Sequence, residues 1–87
     1  MPRVVVPSQL RSYTAGQSEV DATGATVAAA LLDLDRQFPG IWFRVIDEQD
    51  RIRRHIIIFV GGDRVDGIDA EVPVGAELHI VGALSGG

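Results

Sequence analysis

The stretch from Val27 to Phe38 constrains the fold more than any other part of the chain. Val27, Ala30, Leu31, Leu34 and Phe38 recur at the spacing of one helical face, while Asp33, Asp35, Arg36 and Gln37 take the other. Thr23-Gly24-Ala25-Thr26 breaks the preceding segment and supplies a cap, with Thr26 as the N-cap, and Pro39-Gly40 stops the helix. A helix with a single apolar face buries it against one layer, so the expected arrangement is this helix on one face of a sheet. At 87 residues there is room for one core and one domain.

The strands are read around that helix. Arg3 to Pro7 is β-branched and too short for a helix, and Gln17 to Ala22 alternates polar and apolar side chains as a half-exposed strand does. Ser8 to Gly16 joins them, with Leu10 under the sheet. His55 to Val60 is a third strand ending at the turn Gly61-Gly62-Asp63. Counting by two puts Ile56, Ile58 and Val60 on one face and Ile57 and Phe59 on the other. A sheet covered by one helix needs polar residues on its outer face, so Ile57 and Phe59 read as an exposed patch. Val65 to Val72 supplies a short strand or a turn, and Pro73-Val74-Gly75 is another break. Glu77 to Val81 forms the last strand, Leu78 and Ile80 inward, His79 and Val81 outward.

Between helix and third strand, Ile41 to Ile46 reads as a short helix or an apolar loop, followed by the polar turn Asp47-Glu48-Gln49-Asp50. Trp42 and Phe43 read as a minor core under that loop or as a partner contact. Arg51, Arg53 and Arg54 read as a solvated edge or as a small basic site for an acidic partner. The order strand, strand, helix, strand, strand describes a β-grasp body. It is an α+β fold with a mixed four- to five-stranded sheet, one main helix on one face, and the first and last strands central and parallel.

Several functions are disfavoured by composition. The absence of cysteine removes disulfides, thiolate zinc sites and a cysteine nucleophile together. A net charge of −4 argues against nucleic acid as the main partner. The longest apolar run, Ile56 to Val60, cannot span a bilayer and no leader opens the chain, so the expected setting is cytoplasmic with no membrane partner. Catalytic patterns are missing too. Asp33 and Asp35 do not share a helix face, the glycine pairs lack the lysine of a phosphate loop, and Ser8, Ser12, Ser18 and Ser85 have no recognisable base. His79 has no second histidine or acidic triplet at ligand spacing, so it reads as a surface position and no metal site is expected.

The final stretch, Gly82-Ala83-Leu84-Ser85-Gly86-Gly87, follows the last strand directly. Two residues without Cβ atoms thread a narrow cleft easily, so the expected division is a body over 1–81 and a flexible tail over 82–87. Frayed chain gives the same composition.

The segments "VVVP", "GATVAAALLDLDRQFPGI", "RRHIIIFVGGDRV" and "VPVGAELHIVGALSGG", in that order, resemble the MoaD/ThiS family of ubiquitin-like sulfur-carrier proteins. The asparagine-glycine turn usual after the third strand is here Gly61-Gly62-Asp63, and Gly82-Ala83 stands where a proline is common. The segment from Gly40 to Arg54 is extra relative to thiamin-type carriers and is similar to the molybdopterin synthase small subunit and to actinobacterial cysteine-biosynthesis carriers. The resemblance implies that an E1-like adenylating enzyme, using ATP and magnesium that the carrier does not itself bind, activates the carboxylate of Gly87. A sulfur donor then leaves a thiocarboxylate there for a sulfur-accepting synthase or large subunit. Gly86 and Gly87 would enter the partner's channel. Phe59, Val81 and Leu84, with Ile57 and Val5 as a second ring, would be the apolar anchor for partners. The alternative is a protein modifier joined to target lysines through the same glycine. Molybdopterin, cysteine, thiamin and specialised metabolites all remain open as destinations.

Overall fold

The computed structural model describes residues 2–82. In chain order the elements are β1 (Arg3–Val5), a 3-10 helix (Ser8–Tyr13), β2 (Glu19–Asp21), α1 (Val27–Gln37), α2 (Ile41–Val45), β3 (Ile56–Val60), β4 (Asp63–Val65) and β5 (Leu78–Gly82). The five strands form one sheet in the order β2-β1-β5-β3-β4. β1 and β5 run parallel, and every other neighbouring pair is antiparallel. The expected β-grasp architecture is therefore present, with β5 central. β5 takes in Gly82, which pairs with Ile56, one residue beyond the end expected from sequence.

Alternation along the strands separates the two faces. Val4, Val20, Ile56, Ile58, Val60, Leu78 and Ile80 are buried with Val27, Ala30, Leu31 and Leu34 of α1 in one core. Leu10, from the 3-10 helix, closes one end of it. Among the described residues no helix is long and apolar enough to cross a membrane.

The start of α1 decides a segment that sequence reads two ways. The first amides of a helix have no partner within it. Here Val27 N–H donates to the Ala70 carbonyl, Ala28 N–H to the Ile68 carbonyl, and Ala29 N–H to Thr26 Oγ1 at 3.1 Å. Thr26 is the N-cap as expected, and of the two readings of Val65 to Val72 the turn is the one formed: Val65 ends β4, Ala70 N–H returns to the Gly67 carbonyl, and the segment is held by the start of the helix. The strand lies earlier. Gly61 and Gly62 both have positive φ, 58° and 90°, which gives a two-residue turn whose twist matches the flanking strands, and β4 begins at once at Asp63.

Asp35, assigned to the solvent side of α1, instead joins the two helices: its Oδ1 accepts from Gly40 N–H and Trp42 N–H, both at 3.0 Å. Of the two readings of residues 41–46, the helix is the one formed. Ile41 and Val45, four apart, point into the core, and Trp42 packs against it. Phe43 does not join that minor core. Two residues from Ile41 it faces the opposite side and is 60% exposed.

Candidate functional site

The sheet face not covered by α1 is built from cross-strand neighbours. Val5 pairs with His79, His79 with Phe59, and Phe59 with Arg64, while Val5 also faces Glu19 on β2. These residues make one row running from edge to edge. Beside it, Ile57 pairs with Val81. Four of the five residues expected to anchor partners are thus on one surface: Val5, Ile57 and Phe59 are half-buried and Val81 is 40% exposed. Leu84, Gly86 and Gly87 lie outside the described residues.

Charged side chains border this apolar strip. Arg3 pairs with Glu19 at 3.4 Å and reaches Asp21 at 4.0 Å, and Arg64 pairs with Asp66 at 3.8 Å. Such exposed pairs contribute little to stability, about 0 to 1 kcal/mol each. Their effect is to surround an apolar centre with both signs of charge, the usual make-up of a protein-docking surface.

His79 is more central than its sequence suggests. It stands between Val5 and Phe59 on the middle strand, with Nε2 3.0 Å from Glu77 Oε1. The period-two pattern of β5 puts it outward; only the sheet order, which makes β5 central, gives it apolar neighbours on both sides. Among the described residues no group of three or more His, Asp or Glu is placed to hold a metal ion.

The strip leads to the end of β5. There Gln9 Nε2 donates to the Gly82 carbonyl at 3.3 Å, fastening the last described residue to the 3-10 helix. A Cβ on Gly82 would come within 2.8 Å of the Gln9 amide nitrogen, so a side chain there would displace the Gln9 amide from this bond.

No family model matches the chain. It is 32% identical to the sulfur carrier protein CysO of Mycobacterium tuberculosis strain H37Rv over 97% of its own length and 96% of the relative's. Among solved structures, a chain of the BexX/CysO complex of Amycolatopsis orientalis superposes with a TM-score of 0.92 at 34% identity, covering 100% of both chains. SAMP1, a small archaeal modifier protein from Haloferax volcanii, shares the fold at a TM-score of 0.76 and 27% identity, over 98% of this chain and 97% of that one. An apolar sheet face, a central last strand and nearly full-length similarity to carriers converge: the chain belongs to the CysO family of ubiquitin-like, β-grasp sulfur carrier proteins.

Proposed function

We propose that this carrier holds its sulfur as a thiocarboxylate on Gly87, the last residue of the sequence. The observation that carries this reading is the match to a sulfur carrier protein over 97% of the chain, whose sequence closes on Gly86-Gly87. A carboxylate is a poor electrophile, so loading takes two steps. A partner adenylating enzyme joins the Gly87 carboxylate oxygen to the α-phosphorus of ATP, and pyrophosphate leaves. A sulfide or persulfide donor then attacks the carbonyl carbon, and the carbon–oxygen bond to AMP breaks, with AMP taking the electron pair. With a persulfide donor, a thiol then attacks the donor's sulfur, forming a disulfide with it, and the sulfur–sulfur bond breaks with its electron pair going to the thiocarboxylate. The activation chemistry belongs to the partner, and the carrier supplies the terminus and the docking surface.

Val5, Ile57, Phe59 and Val81 are the residues assigned to docking. Support for a protein partner comes from the BexX/CysO complex, in which a carrier of this fold is bound to another protein. Incubation with a cognate adenylating enzyme, ATP, magnesium and a sulfide source is expected to raise the mass by the difference between a sulfur and an oxygen atom, located at Gly87 by fragmentation. Deleting Gly87 is expected to abolish loading. An unchanged mass with cognate adenylating enzymes would overturn the reading.

The likeness to SAMP1 favours a second reading, in which the same activated glycine forms amide bonds with lysines of target proteins. Higher-mass conjugates on immunoblots from cells, absent without Gly87, would select it. Cysteine biosynthesis is the destination that the CysO relationship supports best, and the test is sulfur transfer from the loaded carrier to a cysteine-forming synthase.

A further inference from the structure

A second surface is built by α2, the 3-10 helix and the segment leading into β3. Tyr13, Gly40, Phe43, Arg44, Arg53 and His55 line an open groove of about 460 Å³. The segment from Gly40 to His55 carries four arginines against Asp47, Glu48 and Asp50, a small positive excess on an acidic chain. Arg44, Arg51, Arg53 and Arg54 lie within it, although the net charge of the whole is −4. Among the described residues none of these arginines is in an ion pair, whereas Arg3, Arg36 and Arg64 each are. Asp47, in the turn between them, accepts from the backbone N–H groups of Gln49 and Arg51, at 2.8 and 3.0 Å, and feels the charges of Arg51 and Arg53 without forming an ion pair with either.

The groove is held in shape. Arg53 Nε donates to the Phe43 carbonyl at 2.6 Å, and Arg53 N–H donates to the Val45 carbonyl, tying the returning segment to α2. The Arg44 guanidinium lies over the Tyr13 ring, 5.1 Å from its centre. Each arginine is positioned through one part of its guanidinium while terminal N–H groups stay available, the geometry that suits carboxylate recognition.

We propose that this groove docks an acidic segment of a partner protein, its carboxylates on Arg44 and Arg53 and an apolar side chain against Phe43. The backbone argues for a carboxylate-bearing peptide over a phosphate. A phosphate site typically uses convergent backbone amides. Here Gly40 and Trp42 N–H are taken by Asp35, and Ile41 N–H by the Phe38 carbonyl. Those three N–H groups are therefore not free to hold an anion, and the exposed ring of Phe43 offers apolar contact that a phosphate would not use. The position is suited to a partner that also meets the sheet, since His55 precedes Ile56, the register partner of Gly82. Recognition of such a segment needs no thiocarboxylate, so docking here and sulfur loading fail separately.

The test is titration of the isotope-labelled full chain with the acetylated peptide Glu-Asp-Leu-Glu at low salt, followed by backbone and arginine Nε resonances. Expected are saturable shifts centred on Tyr13, Phe43, Arg44, Arg53 and His55, reduced at least ~10-fold in apparent affinity by Arg44→Gln combined with Arg53→Gln. Arg44→Gln alone keeps the Arg53–Phe43 bond and is expected to weaken binding with the rest of the spectrum unchanged. Shifts scattered over the surface, or the same shifts in the variants, would overturn the proposal. So would inorganic phosphate binding as tightly at the same residues, or a thymidine oligonucleotide binding there more tightly than the peptide.

Discussion

Phe59 on β3 and His79 on β5 face each other in register at the centre of the uncovered sheet face, and Ile57 and Val81 repeat the pairing two residues along. This juxtaposition, with Val5 on the far side of His79, makes scattered outward-facing residues into a continuous strip. Val81→Asp places a charge on the strip without touching the core. Affinity for the proposed adenylating partner, measured by calorimetry, is expected to fall at least ~10-fold, in the range of an interface hot spot. Thermal stability should change little, and unchanged affinity would move docking elsewhere.

Gly24 is the glycine with least tolerance for a side chain. Its φ is +155°, and a Cβ would meet the backbone at Ala29 and Ala30, in the first turn of α1. Backbone there cannot move aside without disturbing the helix start. Gly24→Ala is expected to cost about 1 to 3 kcal/mol. Thermal unfolding should show this as a drop of roughly 4 to 8 °C per kcal/mol. Gly16→Ala, where a Cβ meets nothing within 4 Å, isolates the backbone effect and should cost less.

The core beneath α1 is expected to respond as a packed interior. Leu34 is 0% exposed and sits among inward strand residues. Leu34→Ala should cost about 2 to 5 kcal/mol, since lost transfer energy and a residual cavity add. Thr26→Ala removes the cap on Ala29 N–H and should cost about 1 kcal/mol. Both are measurable by denaturant unfolding, and equal losses at the two positions would contradict this account of the core.

Acid should destabilise the protein through two identifiable carboxylates. Asp33 is held below the usual range chiefly by the Arg36 side chain and then by Thr23 N–H. Asp47 is held below it by the backbone N–H of Arg51 and then Gln49. A group with a lower pKa folded than unfolded favours the fold above its unfolded value, about 3.9 for Asp. That contribution is lost as pH falls through the lowered folded value. Melting temperature is therefore expected to be insensitive to these groups above about pH 5 and to drop on further acidification. Asp33→Asn should flatten the acid limb, and an unchanged limb in Asp33→Asn and Asp47→Asn together would assign it to other groups.

Much of the fold was legible because it follows from local periodicity. One apolar helical face, the alternation of β3 and β5, and the glycine and proline breaks fix which residues enter the core. Thr26 was recognisable as a cap from residue type and position. Readings were left open or went wrong where a residue's role depends on a distant segment. Val65 to Val72 read as strand or turn by composition, and the turn is fixed by the Ile68 and Ala70 carbonyls serving the first amides of α1. Asp35 falls on the polar side of the helical wheel, yet it is half-buried because α2 folds back and offers two N–H donors.

The sequence by itself determined that one helix packs on one sheet, that Ile57, Phe59 and Val81 point away from it, and that the last residues are Gly86 and Gly87. These are properties of spacing and residue type, which a chain carries whether folded or not. Tertiary structure alone decided that β5 is central, so that His79 lies between Val5 and Phe59, and that Arg44 and Arg53 share a groove with Tyr13. Strand order and the return of residues 46–55 set those neighbours, because they bring together segments far apart in the chain through backbone hydrogen bonds and core burial that no local pattern encodes.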